Sequence, residues 1–360
     1  MMELIELRKL RNVMFLVLLT ISLSCFSQGR NSVFLLGYNA IARIDFTNNS
    51  YLISPDNRQI TFNDTQANIA DENGNILMSS NWVFIADATG NTMMNGGGLN
   101  PGWAVNTFPD GLPMPYANLF IPMPGDTSKY VLFHQALDIA VNSIPEIYYS
   151  IIDMSLNGGL GSVTAKNMVI LNGSFGEGYA ACKNANGRDW WVVALSWEAD
   201  EVYVFLLSPD TLQYMGSQSL QITGFPFGFA GQPTFSQDGT KFAFSCSTPL
   251  SISYVSQAQL FNFDRCSGLF SLDTVINFTD GTISFATSFS QNSQYFYFAT
   301  SENLYQYDTG AGGLISHQLV GTNDTFASPN PPFYTNFYLM YLAANGKIYI
   351  SSGGSVKHFH

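Results

Sequence analysis

Few residues in this chain are spaced for chemistry. Of its four histidines, His134 and His317 stand alone, whereas His358 and His360 have the i, i+2 spacing that puts two imidazoles on one strand face. With a third ligand they could hold a metal, although a chain end that happens to carry two histidines is the more ordinary reading. Ala70 to Asn75 (ADENGN) offers oxygens like those of a calcium loop but lacks the remaining ligands and the closing glutamate, so it reads as a hairpin turn. Gly176 and Gly178 in GEGYAA lack the third glycine and the following helix of a dinucleotide fingerprint, and there is no Gly-x-Ser-x-Gly elbow or Walker loop. These residues point to no metal and no cofactor. Hydrolysis by paired carboxylates remains open, with Asp110, Glu177 or Asp324 as candidates if two of them face one another across ~5 to 10 Å.

The elements that would position such groups are legible from a turn signal that recurs six times. It reads ENGNILMSS from Glu72, GDTSKYVLF from Gly125, NANGRDWWVV from Asn184, SQDGTKFAF from Ser236, SQNSQYFYFA from Ser290 and AANGKIYIS from Ala343. With Gly74, Thr127, Gly187, Gly239, Ser293 and Gly346 as register, the steps are 53, 60, 52, 54 and 53 residues. Such a period indicates repeated supersecondary units, each unable to bury its apolar faces alone. The fourth unit divides into strands GQPTFSQD, TKFAFSCS, QAQLFNFD and LDTVINF, and the fifth into ISFATSFSQ, QYFYFATS, NLYQYDTG and LISHQLV, all with period-two alternation. An aspartate closes the third strand before a turn at Asp264 and Asp308, with Asp87 and Asp153 in similar places, where it would cap backbone amides. The fold class is therefore all-β, a β-propeller of four-stranded antiparallel blades. The stretch VFLLGYNAIARIDFTNNSYLIS before the first repeat looks like third and fourth strands without their own first two, as in an N-terminal strand clasp that completes the last blade.

Between blades lie three long irregular stretches, Asn95 to Asn118, Gly224 to Pro233 and Gly321 to Phe337, which by this topology open on one face. They carry Trp103, Phe108, Tyr116, Phe225, Phe227, Phe333 and Tyr334, a set that could stack on sugar rings or a peptide. The commoner fate of such aromatics is to fold inward and plug the junctions between blades. A sialidase would need three convergent arginines, but Arg188 and Arg265 fall in turns on the opposite face, and Arg30 and Arg43 lie in or beside the clasp.

Residues 1–28 have the pattern of a secretory signal peptide: Arg8, Lys9 and Arg11 precede an apolar run from Val13 to Phe26, with a cut expected after Ser27. Lipidation at Cys25 is the rival, weakened by Ser22 where an aliphatic residue is usual. The run is 14 residues long, and no later stretch reaches the ~18 apolar residues of a transmembrane segment. The rest, 29–360, reads as one propeller domain. Removing the signal leaves 11 basic and 24 acidic residues, a balance that speaks against nucleic acid as a partner. Cys182, Cys246 and Cys266 remain, and buried free thiols are expected rather than a bridge between the last two. The chain stops at SVKHFH inside an apparent strand, so a ring truncated at its C-terminal end is expected.

Ala70 to Leu99, Tyr148 to Val163, Asn186 to Leu195, Leu260 to Ser271, Asn303 to Gly310 and Leu342 to Gly354 together resemble a family of large secreted β-propeller proteins from gliding, type IX secreting bacteria. The repeat SQDGTKFAF is also similar to the unit of TolB-type, WD40-like propellers, with Gln237 where proline is usual. The resemblance implies seven blades, export to the cell surface, and further C-terminal modules ending in a sorting domain; it carries no catalytic residue over. The leading expectation is therefore an exported, non-enzymatic propeller presenting a binding face to a glycan or protein. A polysaccharide-acting hydrolase or lyase on the same scaffold is the alternative, and a scaffold that only holds other modules apart is a third.

Overall fold

The computed structural model describes residues 31–37, 41–47, 50–138, 143–220, 229–249, 254–278, 282–310, 317–327 and 334–353. The expected signal peptide, Phe225, Phe227, Phe333, His358, His360 and the chain end fall outside these residues.

The chain is all-β, and its strands follow one another in antiparallel sheets, with one parallel bridge between Ser162 and Met94 joining two of them. The first sheet holds β1 (Val33–Leu36), β2 (Ile41–Thr47) and β3 (Ser50–Asp56). The next is β4 (Ala67–Ala70), β5 (Ile76–Ser80), β6 (Phe84–Ala86) and β7 (Thr92–Gly97). Then come β8 (Asn118–Pro122), β9 (Lys129–Gln135), β10 (Ile144–Asp153) and β11 (Ser162–Lys183), with β11 continuing into β12 (Trp190–Ser196), β13 (Glu201–Leu207) and β14 (Leu212–Ser219). The fourth repeat gives β15 (Phe229–Ala230), β16 (Thr234–Phe235), β17 (Lys241–Pro249), β18 (Tyr254–Asp264) and β19 (Leu269–Phe278). The fifth gives β20 (Ser284–Phe289), β21 (Tyr295–Thr300), β22 (Asn303–Asp308) and β23 (Gln318–Thr322), and the last a hairpin of β24 (Asn336–Leu342) and β25 (Ile348–Gly353).

The repeating turn is the same hydrogen-bonded device in five of its six occurrences. Gly74, Gly187, Gly239, Ser293 and Gly346 each donate their amide to the carbonyl three residues earlier, at 3.1, 2.9, 2.8, 2.9 and 2.9 Å. The position needs a left-handed backbone, with φ of 71° at Gly239 and 61° at Ser293, which explains why glycine usually fills it. The strand-ending aspartates cap as expected: Asp264 accepts from the Cys266 amide at 2.8 Å, Asp308 from Gly310 at 2.9 Å and Asp87 from Thr89 at 2.8 Å.

Period-two alternation decides how the sheets pack. Along β9, Val131 and Phe133 join one apolar cluster while Tyr130 and Leu132 join another. Along β12, Val192 and Ala194 face the first of these clusters, and Trp191, Val193 and Leu195 face the cluster shared with the fourth repeat. The sheets around β9 and β12 are thus covered on both faces, which is why those two strands are buried at nearly every position. Every apolar cluster of the core is lodged between two consecutive sheets.

The innermost strands β1, β4, β8, β11, β16, β20 and β24 stand side by side in that order. The first sheet meets the last hairpin where Tyr341 stacks on Phe34 with ring centroids 4.6 Å apart and donates its hydroxyl to the carbonyl of Asn31 at 3.0 Å. Phe46 adds stacked and tilted contacts to Tyr341 and Tyr349.

Three expectations change. The N-terminal stretch contributes three paired strands, not two. A loop separates the fourth strand of one unit from the first of the next in most places, but β11 bridges that step as one 22-residue strand, because Ser162 to Lys183 contains no proline to break its ladder. Cys182 and Cys246 are buried free thiols, whereas Cys266, in the turn after β18, is exposed.

Candidate functional site

Three of the inner strands present a polar side chain just before their N-terminal ends, and a fourth presents one within its length. Asp64 stands before β4, Tyr116 before β8 and Gln232 before β16, while Glu177 occupies the irregular step of β11 between Phe175 and Tyr179, where the pairing with β12 shifts register. Tyr338, in β24, joins them. These strands stand side by side, so residues far apart in sequence meet around one end of the circuit.

The hydroxyl of Tyr116 donates to Oε1 of Gln232 at 2.8 Å. Gln232 in turn holds the backbone of β24 from both sides, donating Nε2 to the Met340 carbonyl at 2.9 Å and accepting from the Met340 amide at 3.2 Å. Its own carbonyl accepts from Oγ1 of Thr287 in β20. One glutamine therefore fixes the phenol of Tyr116 relative to three further strands. Tyr116 also has a left-handed backbone, φ 56°, unusual for an aromatic residue and of the kind that marks positions held by their surroundings.

The two glycines around Glu177 explain GEGYAA without any phosphate. A Cβ on Gly176 would come within 2.8 Å of the Ser196 carbonyl, and one on Gly178 within 2.7 Å of Cβ of Tyr116. The chain can bring Glu177 this close to Tyr116 only because both neighbours lack side chains.

Asp64 and Glu177 are half-buried, and neither carboxylate accepts a hydrogen bond among the described residues. Burial pushes Glu177 up to about 7, and the charge of Asp64 adds to that rise. Burial also raises Asp64 above the ordinary carboxylate range. Both tyrosines keep their protons: Tyr116 is raised by burial and then by Tyr338, Glu177 and Asp64, and Tyr338 by burial, Asp64 and Glu177. At neutral pH the group thus contains phenol donors, one carboxyl near half-protonation and a second carboxylate beside it.

A cavity of about 280 Å³ opens against Asp64, Tyr116 and Gln232. Phe34 and Tyr341 give it aromatic walls, and Asn31 and Gln66 add polar groups. Glu177 is not one of the lining residues, but its charge acts on Tyr116, which is.

Of the aromatics expected to form a binding face, only Trp103 and Phe108 meet among the described residues, edge to face at 5.9 Å. They lie in and just after a five-residue helical turn, Trp103–Thr107, with Trp103 41% exposed and Phe108 packed on the core. Tyr116 points instead into the polar group. Tyr334 is 77% exposed. Among the expected carboxylates, Asp110 is exposed with its carbonyl taken by Thr61, and Asp324 is exposed and caps the Phe326 amide at 3.0 Å. Glu177 alone of those three joins a second carboxylate, and that partner, Asp64, was not among them. Its signal in the sequence is positional: Asp64, Tyr116 and Gln232 all stand two or three residues before an inner strand.

No protein-family model and no curated protein matches the chain. Among solved structures, the periplasmic gluconolactonase of Pseudomonas aeruginosa has a TM-score of 0.50 at 16% identity, covering 79% of this chain and 76% of that one. A putative 6-phosphogluconolactonase of Bacteroides uniformis aligns over 92% and 95% of the two chains, with 12% identity and a TM-score of 0.44. A protein of unknown function from Desulfotomaculum acetoxidans covers 81% and 80%, at 12% and 0.44. The first likeness places the chain among propeller-like folds. The expectation of a non-enzymatic propeller with an aromatic binding face is corrected here. The gluconolactonase that shares this fold bears an enzyme title, and the half-buried polar residues converge on a carboxylate pair rather than on the loop aromatics.

Proposed function

We propose that the chain is a hydrolase that cleaves a C–O bond in a carbohydrate-derived substrate, with Glu177 as general acid and Asp64 as general base. The observation that carries this reading is the pair itself: two half-buried carboxylates without hydrogen-bond donors among the described residues, acting on one another beside a cavity. Their environments separate their roles, since Glu177, up to about 7, retains its proton where Asp64 gives its own up. Asp64 takes a proton from water, whose oxygen attacks the acyl or anomeric carbon; as the C–O bond breaks, Glu177 protonates the departing oxygen. Exchange with solvent returns both groups to their starting states. Tyr116, held by Gln232, lines the cavity and orients the bound ring. The gluconolactonase title of the fold neighbour makes sugar lactones the first substrates to try, followed by glycosides.

The finer architecture belongs to the same reading: a seven-bladed ring in which β1–β3 closes the circuit against β24 and β25. The apolar clusters between consecutive sheets and the Phe34–Tyr341 stack support it. The pattern of residues 1–28 supports export, and the likeness to the secreted propellers of gliding bacteria makes the cell surface or the medium the place of action.

The test is turnover. Purified protein is offered a panel of sugar lactones, followed by proton release, and aryl glycosides, followed by released chromophore. Wild type should turn over at least one, with Glu177→Gln and Asp64→Asn reduced on the order of 100-fold or more. Equal rates in all three proteins would remove the pair from the mechanism.

A further inference from the structure

We propose that the cavity beside Asp64 takes an electrically neutral sugar unit of about one ring and turns away phosphorylated or carboxylated ones. This rests on the hydrolase reading for its site but concerns what the site admits.

Size comes first. A volume of about 280 Å³ lies just below the range of ligand sites, roughly 300–1,000 Å³, and suits one pyranose better than a chain of them. The walls suit the same guest. Phe34 and Tyr341, stacked on one another, offer aromatic carbon, and Asn31 and Gln66 offer neutral amides. A polyhydroxylated ring presents that combination, with C–H faces and hydroxyl edges.

Charge sets the selectivity. Among the described residues lining the cavity there is no lysine, arginine or histidine. Arg43 and Arg58, the arginines nearest in sequence to its walls among the described residues, are held by Asp45 at 2.7 Å and Asp56 at 3.1 Å. Among the described residues lining the cavity, Asp64 is the one ionisable side chain other than phenols, and its charge acts on Glu177. A phosphate or carboxylate entering here would lose water, meet no counter-charge and approach Asp64, so its binding is penalised twice.

The experiment measures binding by calorimetry and does not depend on turnover. The probes are a neutral sugar lactam, its 6-phosphate and the corresponding uronic acid. Wild type should bind the lactam, with both anionic probes weaker by on the order of tenfold or more. The Gln66→Arg variant, which places a cation on the cavity wall, should narrow or reverse that gap for the phosphate. Equal or tighter binding of the 6-phosphate by wild type overturns the proposal, as does failure of the lactam to bind. Lactam binding without hydrolysis of any lactone or glycoside would leave this selectivity standing while removing the acid–base reading of Asp64 and Glu177.

Discussion

The hydroxyl of Tyr116 donates to Oε1 of Gln232 at 2.8 Å across 116 residues of sequence, and the same glutamine grips both backbone groups of Met340. This bond joins the entrances of two inner strands to a third and fixes the phenol beside the carboxylates. Tyr116→Phe removes one donor and leaves Gln232 with its Met340 bonds, so stability should fall by only about 1 kcal/mol. Hydrolysis should fall more, by roughly tenfold, because the ring is no longer held in register. Thermal unfolding set beside steady-state rates separates the two effects.

Glu177 should cost the protein stability above acidic pH. Its folded pKa, about 7, stands above the ordinary value of 4.5, so between those values the unfolded chain releases a proton that the folded one keeps. Stability from this group is complete below pH 4.5 and is lost as pH rises through about 7. Glu177→Gln should therefore be more stable than wild type at pH 8, by up to about 3 kcal/mol, with the difference vanishing near pH 4.5. Denaturant midpoints at the two pH values check it.

Gly178→Ala should damage the site more than the fold requires. The position has φ 90°, and its Cβ would strike Tyr116 at 2.7 Å. Gly187→Ala, at φ 74° with open space around it, meets the backbone penalty alone, about 1–2 kcal/mol. Gly178→Ala should lose at least that much stability and hydrolysis as well, whereas Gly187→Ala should keep its hydrolysis.

Phe46 tests closure of the circuit. It is buried between Tyr341 and Tyr349, with centroids 5.8 and 4.8 Å away, and ties the N-terminal sheet to the last hairpin. Phe46→Ala should cost about 3–5 kcal/mol and open the junction to proteases first. Loss confined to the hairpin, with the rest unfolding as before, would show that the ring does not depend on this contact.

What the residues revealed in advance was local. Gly239 and Ser293 announced their turns because a left-handed position between two alternating strands constrains only its neighbours, and Asp264 announced a cap for the same reason. The continuity of β11 was hidden, since Gly173, Gly176 and Gly178 suggest a loop until the pairing with β10 and β12 is known. Glu177 was legible as a carboxylate candidate, but its partner was not. Asp64 sits in an unremarked polar stretch, and only the circuit of inner strands brings it to Glu177. Tyr116 could be named as an aromatic of a long loop, yet its turn toward Gln232 depends on a backbone angle that composition does not encode.

The acid–base account is tested most directly by the pH dependence of kcat/KM on the best substrate of the panel, for wild type and Glu177→Gln. If Glu177 must be protonated and Asp64 ionised, the wild-type profile falls on the alkaline side through about 7 and on the acidic side as Asp64 takes up its proton. In Glu177→Gln the alkaline limb should disappear along with most of the rate. A wild-type profile flat through neutrality, or an alkaline limb that survives the substitution, would contradict the assignment of Glu177 as the acid.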